Sequence, residues 1–225
     1  MEDNLTDMRN KMPAGKISLL LAGVIILVVL CDQFLKIWVK THFYLGESYE
    51  ITPWFLLKFI QNNGMAFGME LMSKIVLTIG RILAVVMFLW ALWKLIPGRR
   101  VRVGFLLSFA LIIAGATGNV IDCIFYGEIF NNPYPPEVAT LFPQGGGYAG
   151  WFEGRVVDML YFPLFEFTWP DWMPGVGGSK FEFFEYIFNL ADASITIGVL
   201  MLIFFYSSDL AIAWKQLQKV LSRDK

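Results

Sequence analysis

Asp192 stands a few residues inside the run FNLADASITIGVLMLIFF (188–205), which is otherwise apolar enough to cross a membrane. A second acid, Asp158, lies upstream in RVVDMLYF. Two carboxylates that share a poorly solvated site cannot both ionise readily, so one keeps a proton and the pair works as base and acid around a single water. That chemistry hydrolyses peptide bonds without a metal or a covalent nucleophile. Other chemistries are poorly supplied. His42 is the only histidine, with no second His or Cys at metal-ligand spacing, so neither serine-type catalysis nor a zinc site is provided for. HExxH and GxxxxGK[ST] do not occur, and GVGG and GGGY lack the strand before and helix after that nucleotide binding needs. Spacing alone does not bring Asp158 to Asp192; that is work for the elements that carry them.

Those elements are membrane spans. Of 225 residues, 56% are hydrophobic and 16% charged, and mean hydropathy is +0.57, well above an ordinary soluble domain. A net charge of -1 leaves no basic footprint, which argues against nucleic acid as a partner. Four segments approach the roughly 20 apolar residues a spanning helix needs: 17–39, 75–96, 103–124 and 187–206. The first is expected to be retained, because MEDNLTDMRNKMPAGK is long and mixed in charge for a secretory leader. LVVLC lacks the small residue that a lipoprotein processing site wants before its cysteine, so the chain is not expected to be a lipoprotein itself. Cys31 and Cys123 fall in apolar runs, where a thiol behaves as a small buried hydrophobe.

Basic residues beside the spans set the orientation. Arg9, Lys11 and Lys16 precede the first, Lys94, Arg99, Arg100 and Arg102 lie between the second and third, and Lys215, Lys219, Arg223 and Lys225 follow the fourth. Both termini are therefore expected in the cytoplasm, with 40–74 and 125–186 outside. FLLKFIQNNGMAFG partly alternates in polarity and predicts short strands on the membrane surface. NNPYPPEV, PQGGGYAGWFEG and WPDWMPGVGG break any long helix and predict irregular, aromatic-rich structure. The expected fold is an all-α polytopic membrane protein, one integral-membrane domain over 1–225, with four transmembrane helices, a small extracytoplasmic β-rich cradle and an irregular insert.

In that topology nearly all polar residues of the spans fall at one depth, near the outer surface. Asp32, Gln33 and Lys36 close the first span, Asn119 and Asp122 the third, and Asn189 and Asp192 open the fourth. Charged groups at membrane depth face a protein interior or a wet cavity, so a common level suggests a shared site. Each also has a plainer reading. Asp32 and Lys36, at i and i+4, could form a local ion pair. Asn119 and Asp122 share a helix face and could be interhelical glue or ligands. Arg81 can snorkel along its aliphatic stem. Small Ala191, Ala193 and Ser194 let a backbone or a substrate approach Asp192 closely.

Taken in order, DQFLK (32–36), NNGMAFG (62–68), GATGNVID (115–122), VVDML (156–160) and FNLADASITIG (188–198) resemble lipoprotein signal peptidase, the type II signal peptidase of bacterial inner membranes. The resemblance implies an aspartyl endopeptidase that cleaves diacylglyceryl-modified prolipoproteins on the amino side of the lipidated cysteine, with Asp158 and Asp192 as the catalytic pair. It implies supporting or substrate-binding roles for Asp32, Lys36, Asn62, Gly64, Asn119, Asp122 and Asn189. It implies no cofactor or metal, membrane phospholipid as a partner, a monomer, and a site at the periplasmic face of the inner membrane. Two features depart from the family pattern. Cys123 stands where an arginine is usual, with Arg155 or Arg81 as possible substitutes, and 127–187 is longer than usual, either an enlarged lid or a surface insertion. The rival reading is a small proton- or ion-coupled transporter, which should spread its polar groups across the bilayer. A further rival is a scaffold whose acids only glue helices together.

Overall fold

A computed structural model describes residues 12–62, 74–98 and 100–223. The helices follow the apolar runs. α1 (Ala14–His42) begins just after Pro13, whose carbonyl accepts the Ile17 N–H at 3.1 Å. α2 (Lys74–Leu95) stops before Pro97, and α3 (Val103–Ile129) carries Gly115 and Gly118 near its middle. At 1.5 Å per residue these three are about 43, 33 and 40 Å long, each sufficient for a hydrocarbon core of about 30 Å. Among the described residues they are the three helices long and apolar enough to cross a membrane. α4 (Leu190–Phe205) has 16 residues and α5 (Ser207–Arg223) turns 95° away from it; counted as one bent span the pair makes four. The segment expected to span from 187 is thus shorter at its start, because Ile187 and Phe188 form a strand.

The chain folds as two compact units, one of Met1–Gln33, Leu71–Ile121 and Leu190–Lys225, the other of Phe34–Glu70 and Asp122–Asn189. The first unit is helical, with Leu21, Leu95, Phe105, Leu106 and Ile113 in its core. α3 and α4 approach closely at glycines. A Cβ on Gly198 would lie 2.7 Å from the Ser108 carbonyl oxygen, and one on Gly115 would collide with the Ala191 carbonyl. Arg102, just before α3, fixes the corner between α4 and α5. Its Nε donates to Asp209 at 2.8 Å, its Nη2 donates to the Phe205 carbonyl at 2.8 Å, and its guanidinium lies 4.7 Å above the Tyr206 ring. Gln216 of α5 donates to the Lys94 carbonyl at 2.9 Å, which satisfies an acceptor left open at the end of α2.

The second unit holds an antiparallel sheet of order β1-β2-β3-β6, built from β1 (Ser48–Thr52), β2 (Phe55–Asn62), β3 (Val156–Tyr161) and β6 (Ile187–Phe188). Strands expected at the first outer segment are therefore present. In the second outer segment the stretches 132–139, 143–154 and 169–178 are irregular as expected, and the correction lies in the residues between and after them. These supply the central strand β3 and a separate hairpin, β4 (Phe165–Thr168) with β5 (Lys180–Phe183). In that hairpin Phe165 faces Phe183 and Phe167 faces Phe181, while Glu166 and Glu182 share the other side, with the Tyr161 hydroxyl donating to Glu182. Val157 and Met159 of β3 point into a core with Val39, Phe59 and Phe130, and the alternation of the strand turns Asp158 to the opposite face.

Candidate active site

In the first unit the site residues gather around the start of α4. Asp192 lies in the first turn of that helix, where the positive end of the helix dipole favours a carboxylate. Its Oδ1 accepts the Asn119 Nδ2–H at 2.8 Å. Asp32, fully buried, accepts the Ala191 backbone N–H at 2.9 Å and so satisfies one of the open donors of the same turn. Gln33 donates to the Gly118 carbonyl at 3.1 Å and to Asp32 Oδ2 at 3.2 Å, joining α1 to α3. The absence of a side chain at Gly118 permits this, since a Cβ there would stand 2.6 Å from Asp32 Oδ2.

In the second unit the residues gather on β3. Asp158 Oδ1 accepts the Asn189 Nδ2–H at 2.7 Å, and the same amide reaches the Val157 carbonyl at 3.2 Å. Asp122 accepts the Val157 backbone N–H at 3.2 Å and forms a salt bridge with Lys36 at 2.8 Å, both side chains wholly buried. A carboxylate against Lys36 is thus brought from another helix, and Asp32, one turn from Lys36, serves the α4 terminus. Asn62 ends β2 opposite Val156 and is exposed. Gly64 lies outside the described residues.

Cys31, expected to be buried, is exposed on α1, while Cys123 is buried as expected. His42 closes α1, stacked on Trp38 at 5.4 Å. Lys40, one turn beyond Lys36, does not stand out in the sequence. It is fully buried, and its ammonium lies 5.6, 5.2 and 5.3 Å from the ring centres of Phe59, Phe130 and Tyr148. The i, i+4 spacing from Lys36 was the available signal. On the segment leading into β3, the Arg155 N–H donates to the Tyr148 hydroxyl at 2.6 Å and the Arg155 guanidinium lies 5.4 Å over the same ring. Burial pushes that phenol up to about 12, so its hydroxyl stays protonated near neutral pH.

Long apolar helices, together with carboxylates held by asparagine amides, are the features of an integral membrane protein with a polar site. The sequence profile of signal peptidase (SPase) II matches residues 24–207. The chain belongs to the signal peptidase II family, and it is a multi-pass membrane aspartyl endopeptidase. A lipoprotein signal peptidase of Porphyromonas gingivalis is 48% identical over 197 residues, covering 88% of this chain and 85% of its own. One from Amoebophilus asiaticus is 37% identical over 188 residues, covering 80% and 75%. A bacterial membrane enzyme solved by the in meso method shares the fold with a TM-score of 0.58 at 24% identity, covering 90% of this chain and 94% of its own.

Proposed function

We propose that the chain removes signal peptides from diacylglyceryl-modified prolipoproteins, cleaving on the amino side of the lipidated cysteine, with Asp158 and Asp192 acting on one water. The observation that carries the pairing is the position of Asn189. Its amide holds Asp158 at 2.7 Å, and the chain reaches Asp192 three residues later, a covalent tether of no more than about 10 Å. One carboxylate takes a proton from the water as it attacks the scissile carbonyl. The other, protonated, donates a hydrogen bond to the developing oxyanion, and the departing amine receives a proton from the pair. Asn119 and Asn189 hold the acids in the orientation this requires. Asp32 and Asp122, the latter with Lys36, hold the backbone next to each acid, and Asn62 and Gly64 support the substrate. Arg155, three residues before Asp158, is the cation we assign to the role that Cys123 leaves open.

In this reading α4 is the fourth span, the bilayer is the inner membrane, and the site lies at its periplasmic face. The protein works as a monomer within phospholipid, without a cofactor. The diacyl tails stay in hydrocarbon while the scissile bond reaches outer-surface depth, the level of the polar residues in the spans. The test is a gel-shift assay on a purified lipid-modified prolipoprotein. Asp158→Asn and Asp192→Asn should each cut the rate by at least about 10²- to 10⁴-fold, the usual worth of a general acid or base, while thermal melting stays near wild type. Wild-type turnover by either folded variant would remove that acid from the mechanism.

A further inference from the structure

We infer that α5 is a membrane-surface helix whose apolar flank enters the bilayer interface and whose lysines bind anionic phospholipid headgroups. The inference rests on α4 being the fourth span, as proposed above, and not on the catalytic reading, since none of the residues it uses belongs to the candidate site. α5 has three sectors. Asp209, Ala213, Gln216 and Leu217 pack on the first unit's core or donate and accept hydrogen bonds there. About a quarter turn round at 3.6 residues per turn lie Leu210, Trp214 and Leu221, which are 41%, 64% and 55% exposed. Beyond them, on the side away from the core, Lys215 and Lys219 are exposed.

Two observations say what covers the apolar flank. The first is the corner. Because Arg102 binds Asp209, the Phe205 carbonyl and the Tyr206 ring together, α5 is held 95° from α4 and cannot extend along it. A helix fixed at a right angle to a membrane-crossing one runs along the membrane plane. The second is depth. Gln216 binds the Lys94 carbonyl at the end of α2, beside exposed Trp93, whose ring carries the Lys94 ammonium at 4.4 Å. Trp93 and Trp214 therefore mark the same end of the helical unit, as interfacial tryptophans do. With the core face turned inward and the apolar flank toward hydrocarbon, the lysines lie about 140° round the helix from that flank, on the headgroup side. Opposite charge there commits the occupant to anionic lipid.

The experiment uses the full-length protein with Cys31→Ser and Trp214→Cys, bimane-labelled at position 214. It is reconstituted in phosphatidylcholine vesicles containing one-third phosphatidylglycerol, with one lipid or the other brominated. Bromines quench the probe only from lipid that touches α5. Both lipids should quench, and brominated phosphatidylglycerol should do so beyond its share, by roughly fivefold for each lysine engaged. Adding Lys215→Gln and Lys219→Gln should return quenching to the bulk ratio. Absence of quenching by either lipid would put the flank in water, open to a soluble partner, and overturn the inference. So would a phosphatidylglycerol excess that is missing in wild type or survives loss of the lysines.

Discussion

Lys36 and Asp122 form an ion pair with no solvent exposure, and such a pair is worth most when one partner is removed. Lys36→Met takes the ammonium away from a buried carboxylate and should cost about 3–5 kcal/mol, measured as a fall in unfolding midpoint in detergent. Adding Asp122→Asn, which keeps an oxygen for the Val157 N–H, should recover most of that loss. Lys40 presents the opposite case. Among the described residues its ammonium has no hydrogen-bond partner, and three rings at up to about 2 kcal/mol each oppose a burial penalty of several kcal/mol. The two nearly cancel, so Lys40→Met should move stability by less than about 2 kcal/mol. Phe130→Leu should cost more in wild type than in the Lys40→Met background, by about 1–2 kcal/mol in a double-mutant cycle.

Two pairs of helix glycines have opposite consequences. Gly115 and Gly198 lie where α3 and α4 nearly touch, and a methyl there meets backbone oxygen; Gly115→Ala should lower stability by about 1–3 kcal/mol. At Gly23 and Gly80 a methyl would find nothing within 4 Å, so alanine at either should be neutral or gain up to about 1 kcal/mol, read from the same melts. Elements were legible to the degree that their pattern is local. Long apolar runs announced α1, α2 and α3, and the motif letters marked the acids proposed here as catalytic. The contact of Lys36 with Asp122 was hidden, because helix spacing points only to Asp32 and packing brings in Asp122. The β4–β5 hairpin was masked although FEFT and KFEF alternate strictly, because the loop between the strands is rich in proline and glycine and reads as irregular. α5 carries its own period in Leu210, Trp214, Leu217 and Leu221, obscured where the segment is read only for charge.

For the whole molecule, the orientation is the property that sequence charge reaches and contacts do not. A cysteine placed at Tyr134, which is 90% exposed, should react in intact spheroplasts with a membrane-impermeant maleimide, in a Cys31→Ser background. One placed at Ser222 should react only after permeabilisation. The reverse pattern would invert the topology. The sheet has a different consequence, one of time. β2 pairs with β3 across residues as far apart in the chain as Leu56 and Tyr161, and such distant pairings close slowly. Synthesis proceeds from the N-terminus, so β2 waits, unpaired on its second edge, until residues 156–161 emerge. Asp158 arrives with that strand, and Asp192 only with α4. On the pairing proposed above, a chain that ends before Asp192 should therefore be inert, with proteolytic competence gained only as α4 is made.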